Sequence, residues 1–282
     1  MVRNTRIAAV VILYNPKKWI LENMVAYCSL LKNIVFVDNS EISNKQLLEK
    51  ISQRFQVHII VNNENKGIAA ALNQGIEKAL NLGAEWILTM DQDSFFKEDM
   101  LKDYFDLLHK MNNQKRIAAL GPNYEKNCWL GDISKVETLI TSGTLLNGQV
   151  FLQLDGYSEE LFIDEVDNDF CYRAQLKGYE LYRCNKIFMN HCLGNEQNVT
   201  TIFGTKKKMN FHSPIRLYYI VRNSLYMSLK YKISFPFSIK KTKKDVLVRI
   251  KNNLLFGNQR WSTFKFILFG FIDFKRGKFG KY

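Results

Sequence analysis

The chain has 282 residues, 46% of them hydrophobic, with 40 Lys and Arg against 27 Asp and Glu for a net charge of +13. That is enough for one large domain, or one domain with an appendage, and enough apolar material for a sizeable core. The five cysteines (Cys28, Cys128, Cys171, Cys184 and Cys192) are odd in number and show no C-x-x-C spacing, which argues for reduced thiols in a cytosolic setting and against a disulfide frame or a zinc site.

From the N-terminus, Ile7–Leu13 is an apolar run behind a basic start. It faintly mimics a signal peptide but is short, lacks a small-residue cleavage site and leads into Tyr14-Asn15-Pro16, so a first buried strand is expected. Trp19 to Leu31 has helical spacing, and Asn33–Val37 is a strand ending at Asp38-Asn39-Ser40. Gln46–Phe55 reads as a helix and Val57–Asn62 as a short strand. Gly67–Leu82 is an alanine-rich helix stopped by Gly83. Trp86–Met90 is the next strand, Lys97–Met111 a helix and Ile117–Gly121 another strand. This β-α-β-α rhythm predicts an α/β fold, with a mostly parallel sheet flanked by helices. No stretch reaches the roughly 18 apolar residues needed to cross a bilayer.

The turns after these strands carry the chemistry. They are Tyr14-Asn15-Pro16, Asp38-Asn39-Ser40, Asn63-Glu64-Asn65-Lys66-Gly67 and Asp91-Gln92-Asp93-Ser94. In an open α/β sheet such residues line one edge, the usual ligand crevice. Asp91 and Asp93 leave a strand end together, which suits a hard divalent cation and, through it, a diphosphate. Asp38 can accept hydrogen bonds from a ribose or a base N–H. Gly67 opens a helix and permits close backbone approach to a phosphate-bearing ligand. Each turn alone also reads as ordinary polar turn chemistry; four in series favour a site. No G-x-G-x-x-G occurs, which disfavours a dinucleotide cofactor.

The series Tyr14-Asn15, Val37-Asp38-Asn39-Ser40, Asn65-x-Gly67-x-Ala69-x-Ala71-x-Asn73 and Asp91-x-Asp93 resembles a family 2 glycosyltransferase of the GT-A (Rossmann-like) fold. Further on, Thr141-Ser142-Gly143-Thr144, Gly156-Tyr157, Phe162 to Arg173, Gly178-Tyr179, His191-x-x-Gly194 and Arg216-Leu217-Tyr218-Tyr219-x-x-Arg222-Asn223 are similar to its rhamnosyltransferase branch. The likeness spans roughly residues 6 to 225.

The resemblance implies roles. Asp93 would coordinate Mg²⁺ or Mn²⁺ bridging the donor's phosphates, with Asp91 holding the ribose and sharing in metal placement. Asp38 would bind the nucleotide base beside Tyr14. Asn15, Asn39, Asn65, Gly67, Gln92, Ser142 and Gly143 complete the implied donor-binding set. His191 matches a late histidine that can add a metal ligand, or is a loop histidine. In the acidic cluster, Asp167 falls at the general-base position, with Val166 where Glu often stands; a base there makes the reaction a single, inverting displacement. Asp169 can instead face Arg173 four residues on. Asp164 and Glu165 are either acceptor contacts or a solvated helix start. Arg216 and Arg222 are either phosphate contacts or a basic helix face.

Residues 206–282 hold 19 Lys and Arg with only Asp245 and Asp273 as acids, whereas the preceding part is mildly acidic. The division expected is therefore a nucleotide-sugar and catalytic domain over 1–205 and a basic, aromatic-rich helical extension over 206–282. Run 261–274 is apolar but interrupted by Lys265 and Asp273, and reads as an interfacial helix on anionic lipid. A nucleic-acid surface fits the composition less well, since the body has no RNA-binding signature, and a small helical subdomain packing on the core is the third reading.

Together these imply a metal-dependent, inverting glycosyltransferase at the inner face of a bacterial membrane. Its donor would be dTDP-rhamnose, or alternatively a UDP-hexose or UDP-galactofuranose, and its acceptor a lipid-linked or growing surface polysaccharide. A homo-oligomer is compatible with this reading and no nucleic-acid partner is expected. A nucleotidyltransferase is disfavoured because no Gly-rich, Lys/Arg-bearing loop follows the first strand. A non-catalytic membrane- or nucleic-acid-binding module is the alternative from another class.

Overall fold

The computed structural model describes residues 5–18, 20–111, 116–124, 129–191, 196–200 and 205–282, with some side chains in 191–207 excepted, that of His191 among them. Trp19, Cys128, Cys192, Gly194 and Gly204 lie outside the described residues. In chain order the first elements are β1 (Ile7–Leu13), α1 (Ile20–Asn23), α2 (Val25–Leu30), β2 (Asn33–Asp38), α3 (Lys45–Arg54), β3 (His58–Val61), α4 (Ile68–Asn81) and β4 (Trp86–Asp91). There follow β5 (Ser94–Phe95), α5 (Glu98–Met111), β6 (Ile117–Asn123), β7 (Ile133–Lys135), β8 (Thr144–Asn147), α6 (Gly148–Gln153), α7 (Val166–Leu176), β9 (Glu180–Phe188) and β10 (Asn190–His191). The last are β11 (Glu196–Thr200), β12 (Lys206–Asn210), α8 (Pro214–Tyr231), α9 (Pro236–Phe256) and α10 (Arg260–Lys275).

The chain forms two compact units: Met1–Glu159 with Val166–Cys192, and Glu160–Glu165 with Leu193–Tyr282. The first holds an eight-stranded sheet in the order β3-β2-β1-β4-β8-β6-β9-β7. β3, β2, β1 and β4 are parallel, as are β6 and β9, whereas β8 and β7 run antiparallel to their neighbours. The mostly parallel sheet expected from the sequence is therefore present. β1, β2 and β4 are continuous apolar runs because helices cover both faces of a parallel sheet. Ala9, Val11, Leu13, Phe36, Leu88, Met90, Tyr104 and Leu120 are buried in one cluster, and each large apolar side chain there contributes roughly 1.5–3 kcal/mol.

Two local expectations shift. The helix expected over Trp19–Leu31 is split into α1 and α2 at Met24, which keeps helical angles (φ −85°, ψ −16°). β6 runs two residues past Gly121, through Pro122. The register with β9 slips between Pro122 and Asn123, as expected where proline can donate no ladder hydrogen bond.

In the second unit β11 and β12 form a hairpin and α8, α9 and α10 pack on one another. Ser213 caps α8 by accepting from Arg216 N, and Pro214 sits in the first turn. Gly270 lets α10 approach α8 closely: a Cβ there would lie 2.6 Å from the Tyr218 carbonyl oxygen. Among the described residues no helix is long and apolar enough to cross a membrane.

Candidate active site

Strand register sets the geometry. Leu13 pairs with Asp38, Ile12 with Asp91 and Asp38 with Val61, so β1, β2, β3 and β4 end level. The four turns therefore leave one edge of the sheet, at the carboxyl ends of its strands, where α/β sheets place ligands.

Side chains lock these turns together. Gln92 bridges to the end of β1: its Oε1 accepts from Tyr14 N (3.0 Å) and its Nε2 donates to Tyr14 O (3.0 Å). Asn15, at φ 47°, donates its N–H to Ser40 Oγ (2.8 Å). Asn39 ties the end of β2 to the 62–67 turn. It donates to Asn65 Oδ1 and Gly67 O, both at 3.2 Å, and accepts from Asn62 Nδ2 (3.0 Å) and Lys66 N (3.1 Å). Asn65 Oδ1 also takes the N–H of Gly67 (2.9 Å), whose φ of 85° favours glycine. Asn15, Asn39, Asn65 and Gln92 thus shape the edge.

Asp38 is fully buried. Its Oδ1 accepts from Ser40 Oγ (2.6 Å) and Ser40 N (3.1 Å). Its Oδ2 is buried and has no hydrogen-bond partner among the described residues. A buried, unmatched acceptor is costly, and a ligand N–H or O–H is the natural group to satisfy it.

At the end of β4, Asp91 N donates to Ser142 Oγ (3.2 Å). Gly143 N donates to Thr89 O (2.7 Å), and Thr89 Oγ1 donates to Thr141 O (2.5 Å). Gly143 has φ 76°, and a Cβ there would collide with Met189 Sδ and lie 2.8 Å from Pro122 Cγ. The Thr141–Gly143 backbone is thereby held close against β4. Asp91 and Asp93 are part-exposed carboxylates on this edge, and Ser94 Oγ lies 3.5 Å from Asp93 Oδ1. Two hard oxygen donors of this kind fit a divalent cation. Among the described residues no group of three or more His, Cys, Asp or Glu forms a metal cage. β5 pairs with β10 so that the backbone of His191 lies opposite Ser94, one residue past Asp93.

Asp167 sits in the first turn of α7, where its Oδ1 accepts from Asn168 N (2.9 Å) and the helix dipole favours its charge. It borders, with Thr141, Tyr157, Phe170 and Cys171, a cavity of about 10 Å³, room for one water at most. Burial, with Cys171 and Asp167 close by, pushes the Tyr157 phenol well up. Asp169 is buried and structural: its Oδ2 takes Arg173 Nε (2.7 Å) and Ser158 Oγ (2.6 Å). Burial pushes the thiols of Cys28, Cys171 and Cys184 up to about 12, so these cysteines stay protonated and inert.

Four sequence candidates lie in the second unit. Arg216 pairs with Asp164 (Nη2–Oδ1 3.0 Å, Nε–Oδ2 3.3 Å). Arg222 is fully buried. Its guanidinium donates to the carbonyls of Gly280 (2.7 Å), Leu161 (3.1 Å) and Glu160 (3.2 Å) and to Asn223 Oδ1 (3.0 Å). The structure thus gives Arg222 an internal occupation in place of a phosphate contact. Asp164 and Glu165, directly before α7, have φ of 63° and 66°, so that segment is a left-handed turn. Sequence reading named Asn223 in a motif without a task. Its Nδ2 donates to the carbonyls of Ile163 (2.7 Å), Leu161 (2.8 Å) and Asp164 (3.0 Å).

A mostly parallel sheet with an antiparallel strand inserted, and acidic turns at its carboxyl edge, is the arrangement that the resemblance to GT-A glycosyltransferases implies. Residues 8–137 match the model of glycosyl transferase family 2. The chain is 32% identical over 283 residues to the dTDP-rhamnosyl transferase RfbF of Shigella flexneri, covering 91% of this chain and 90% of that one. It belongs to glycosyltransferase family 2. Among solved structures it is similar in fold to residues 1–349 of S. aureus TarS in complex with UDP-GlcNAc (TM-score 0.55, 15% identity, 97% of this chain and 82% of that one). It is likewise similar to GalNAc-T7 with UDP, GalNAc and Mn²⁺ (TM-score 0.57, 14% identity), spanning 55% of that chain and 87% of its own. Against a longer TarS structure it spans 44% of that chain.

Proposed function

We propose that the protein transfers L-rhamnose from dTDP-rhamnose, with inversion, to a hydroxyl of a lipid-linked or growing bacterial surface polysaccharide. The observation that carries the donor assignment is the 32% identity, over 91% of the chain, with a dTDP-rhamnosyl transferase. The unmatched Oδ2 of Asp38 supports it chemically. Thymine and uracil both present an imide N–H, which a buried carboxylate oxygen accepts. Tyr14, 43% exposed on the same edge, offers a wall for the base.

Asp91, Asp93 and, through its position beside Ser94, His191 would hold a divalent cation. When bound, that cation supplies charge neutralisation on the departing nucleoside diphosphate. The chain's own residues do the rest. Ser142 and Gly143 bring backbone close to the sugar, and Gln92 fixes the Tyr14 wall. Asp167 accepts the proton of the acceptor hydroxyl as that oxygen bonds to the anomeric carbon. The bond from that carbon to the diphosphate oxygen breaks in the same displacement, and the configuration inverts. The basic helices α8–α10 would place the enzyme on an anionic membrane surface, near a lipid-linked acceptor.

The test is a panel of dTDP- and UDP-sugars scored by thermal stabilisation and by turnover, with Mn²⁺, with Mg²⁺ and with EDTA. The expected result is that dTDP-rhamnose stabilises most, and only with metal. Asp167→Asn should keep that stabilisation while turnover falls by about 10²–10⁴. Stabilisation untouched by EDTA would remove the metal role of Asp93, and full turnover in Asp167→Asn would remove the base.

A further inference from the structure

Within the second unit α8, α9 and α10 splay around an apolar groove of about 450 Å³. Val221 and Leu225 line it from α8, Val246 and Ile250 from α9, and Ile267 and Phe271 from α10. One charged side chain, Lys243, borders it. The groove is open to solvent, since the lining residues Leu247, Phe264 and Leu268 are 66%, 55% and 45% exposed. Contiguous apolar surface of this kind on a soluble face marks a binding site. Trp261 and Phe237 are 87% and 85% exposed on the same helices. Such side chains favour a membrane interface.

Charge decides between occupants. α9 carries Lys240, Lys241, Lys243, Lys244, Arg249 and Lys251 against Asp245. On α10 the acid Asp273 is already held by the Tyr218 hydroxyl (2.8 Å) and faces Lys278 Nζ (3.8 Å). An apolar slot bordered by Lys243, on a helix rich in further cations, fits an amphiphile with a hydrocarbon tail and an anionic head. A groove of about 450 Å³ has room for a stretch of hydrocarbon chain and not only for a single small group.

We propose that the α8–α9–α10 groove takes one acyl chain of an anionic membrane phospholipid, with Lys243 at its mouth facing the phosphate. This rests on the proposed membrane attachment and adds to it a discrete chain site.

The full-length protein is tested by co-sedimentation with phosphatidylglycerol/phosphatidylcholine vesicles at 0.15 M and 1 M NaCl. High salt screens surface charge, so what persists at 1 M reports apolar contacts, and the part of it lost in a groove variant reports the groove. Wild type is expected to bind at both salts. The double variant Leu247→Gln/Leu268→Gln, at positions exposed enough to leave the fold intact, should lose at least ten-fold at 1 M. Each methylene withdrawn weakens binding by about four-fold. Lys240→Gln/Lys244→Gln should lose binding at 0.15 M and little at 1 M. Brominated acyl chains give a readout that needs no groove variant: they should quench Trp261 emission, assigned with Trp261→Phe, at 1 M salt as at 0.15 M. Wild-type binding that vanishes at 1 M, an equal response of the double variant, or unquenched Trp261 overturns the groove while leaving attachment standing. A dimer in light scattering that the double variant dissociates assigns the groove to a second copy and overturns the proposal. No vesicle binding at either salt overturns attachment and groove together, and leaves sugar transfer, read in the donor panel, unaffected.

Discussion

The turn 160–165 runs straight into α7 and the proposed base, and three of its non-glycine residues are left-handed: Phe162 (φ 65°), Asp164 (φ 63°) and Glu165 (φ 66°). Each costs on the order of 1–2 kcal/mol relative to a right-handed or extended backbone. The turn is therefore about 3–6 kcal/mol above an unstrained segment and must be held. Asn223 holds it with three hydrogen bonds and Arg222 with two more to its carbonyls. Phe162 also stacks on Tyr219 (centroids 5.0 Å). Asn223→Ala removes the two N–H donors shared among those three carbonyls, about 0.5–1.5 kcal/mol each, and the Oδ1 that accepts from Arg222 Nε, a charge-assisted bond of about 1.5–3 kcal/mol, so a loss of about 2.5–6 kcal/mol is expected. Since the turn ends at Val166, its relaxation shifts the start of α7, and a shift near 1 Å at a reacting group costs on the order of 10²-fold. The expected signature is a fall in kcat with the donor KM held, alongside a lower urea midpoint. Glu165→Gly, made in the Asn223→Ala background, should recover about 1 kcal/mol because glycine adopts that φ without penalty. Urea unfolding and steady-state kinetics on the four proteins of this cycle check it. If Asn223→Ala keeps both its midpoint and its kcat, or if Glu165→Gly destabilises the Asn223→Ala protein as glycine does in an ordinary strand or helix, the turn is not under strain and the reasoning fails.

Other outcomes follow from single sites. Burial first, then Arg249 and Arg216, push the His212 imidazole down to about 4, with Asp164 opposing them. The unfolded chain then takes up a proton near pH 6.5 that the folded chain refuses. Stability is present above that pH and is lost as pH falls toward 4, by about 1–2 kcal/mol once partial exposure is allowed for. His212→Gln should flatten this slope in urea midpoints measured at pH 7 and pH 4.5. Gly143→Ala should abolish activity and lower the melting temperature, because its Cβ meets Met189 and Pro122 at a left-handed φ. Asp38→Asn should leave the fold in place, since its Oδ1 can still accept from Ser40, and weaken dTDP binding about ten-fold or more in calorimetry. Unchanged dTDP affinity would move the base elsewhere.

The first half of the sheet was legible because parallel strands buried on both faces write themselves as unbroken apolar runs. Ile7–Leu13 is the case in point, matching β1 residue for residue. The edge of the site was legible for a related reason: strands that start in step end in step, so their turns share an edge. The antiparallel strand β8 was less so. Thr141-Ser142-Gly143 reads in sequence as a strand with a glycine bulge, and the four residues behind the left-handed Gly143 are too few to mark β8 by themselves. Arg222 was legible as a charge and not as a clamp. A cation in an aromatic run reads as a solvated helix face, and only tertiary structure shows that it is fully buried against carbonyls.

That contrast explains how the two halves of the motif series divide the labour. Residues that meet a ligand must leave an acceptor or a carboxylate open, as Asp38 Oδ2 is open among buried atoms. Residues that hold shape must be saturated, as Asn39, Asn223 and Arg222 are. Both kinds are polar and both sit in recognisable motifs, so sequence alone cannot separate them. Hydrogen-bond accounting does. In the 62–67 turn the Asn39 amide holds a backbone whose N–H groups can face a phosphate. In the 160–165 turn the Asn223 amide holds a backbone under strain. The Asn39 amide meets both donors and acceptors of its irregular turn, whereas the Asn223 Nδ2 meets the carbonyls of its turn and its Oδ1 takes Arg222 Nε, so that in each case an amide holds backbone that no regular element could hold.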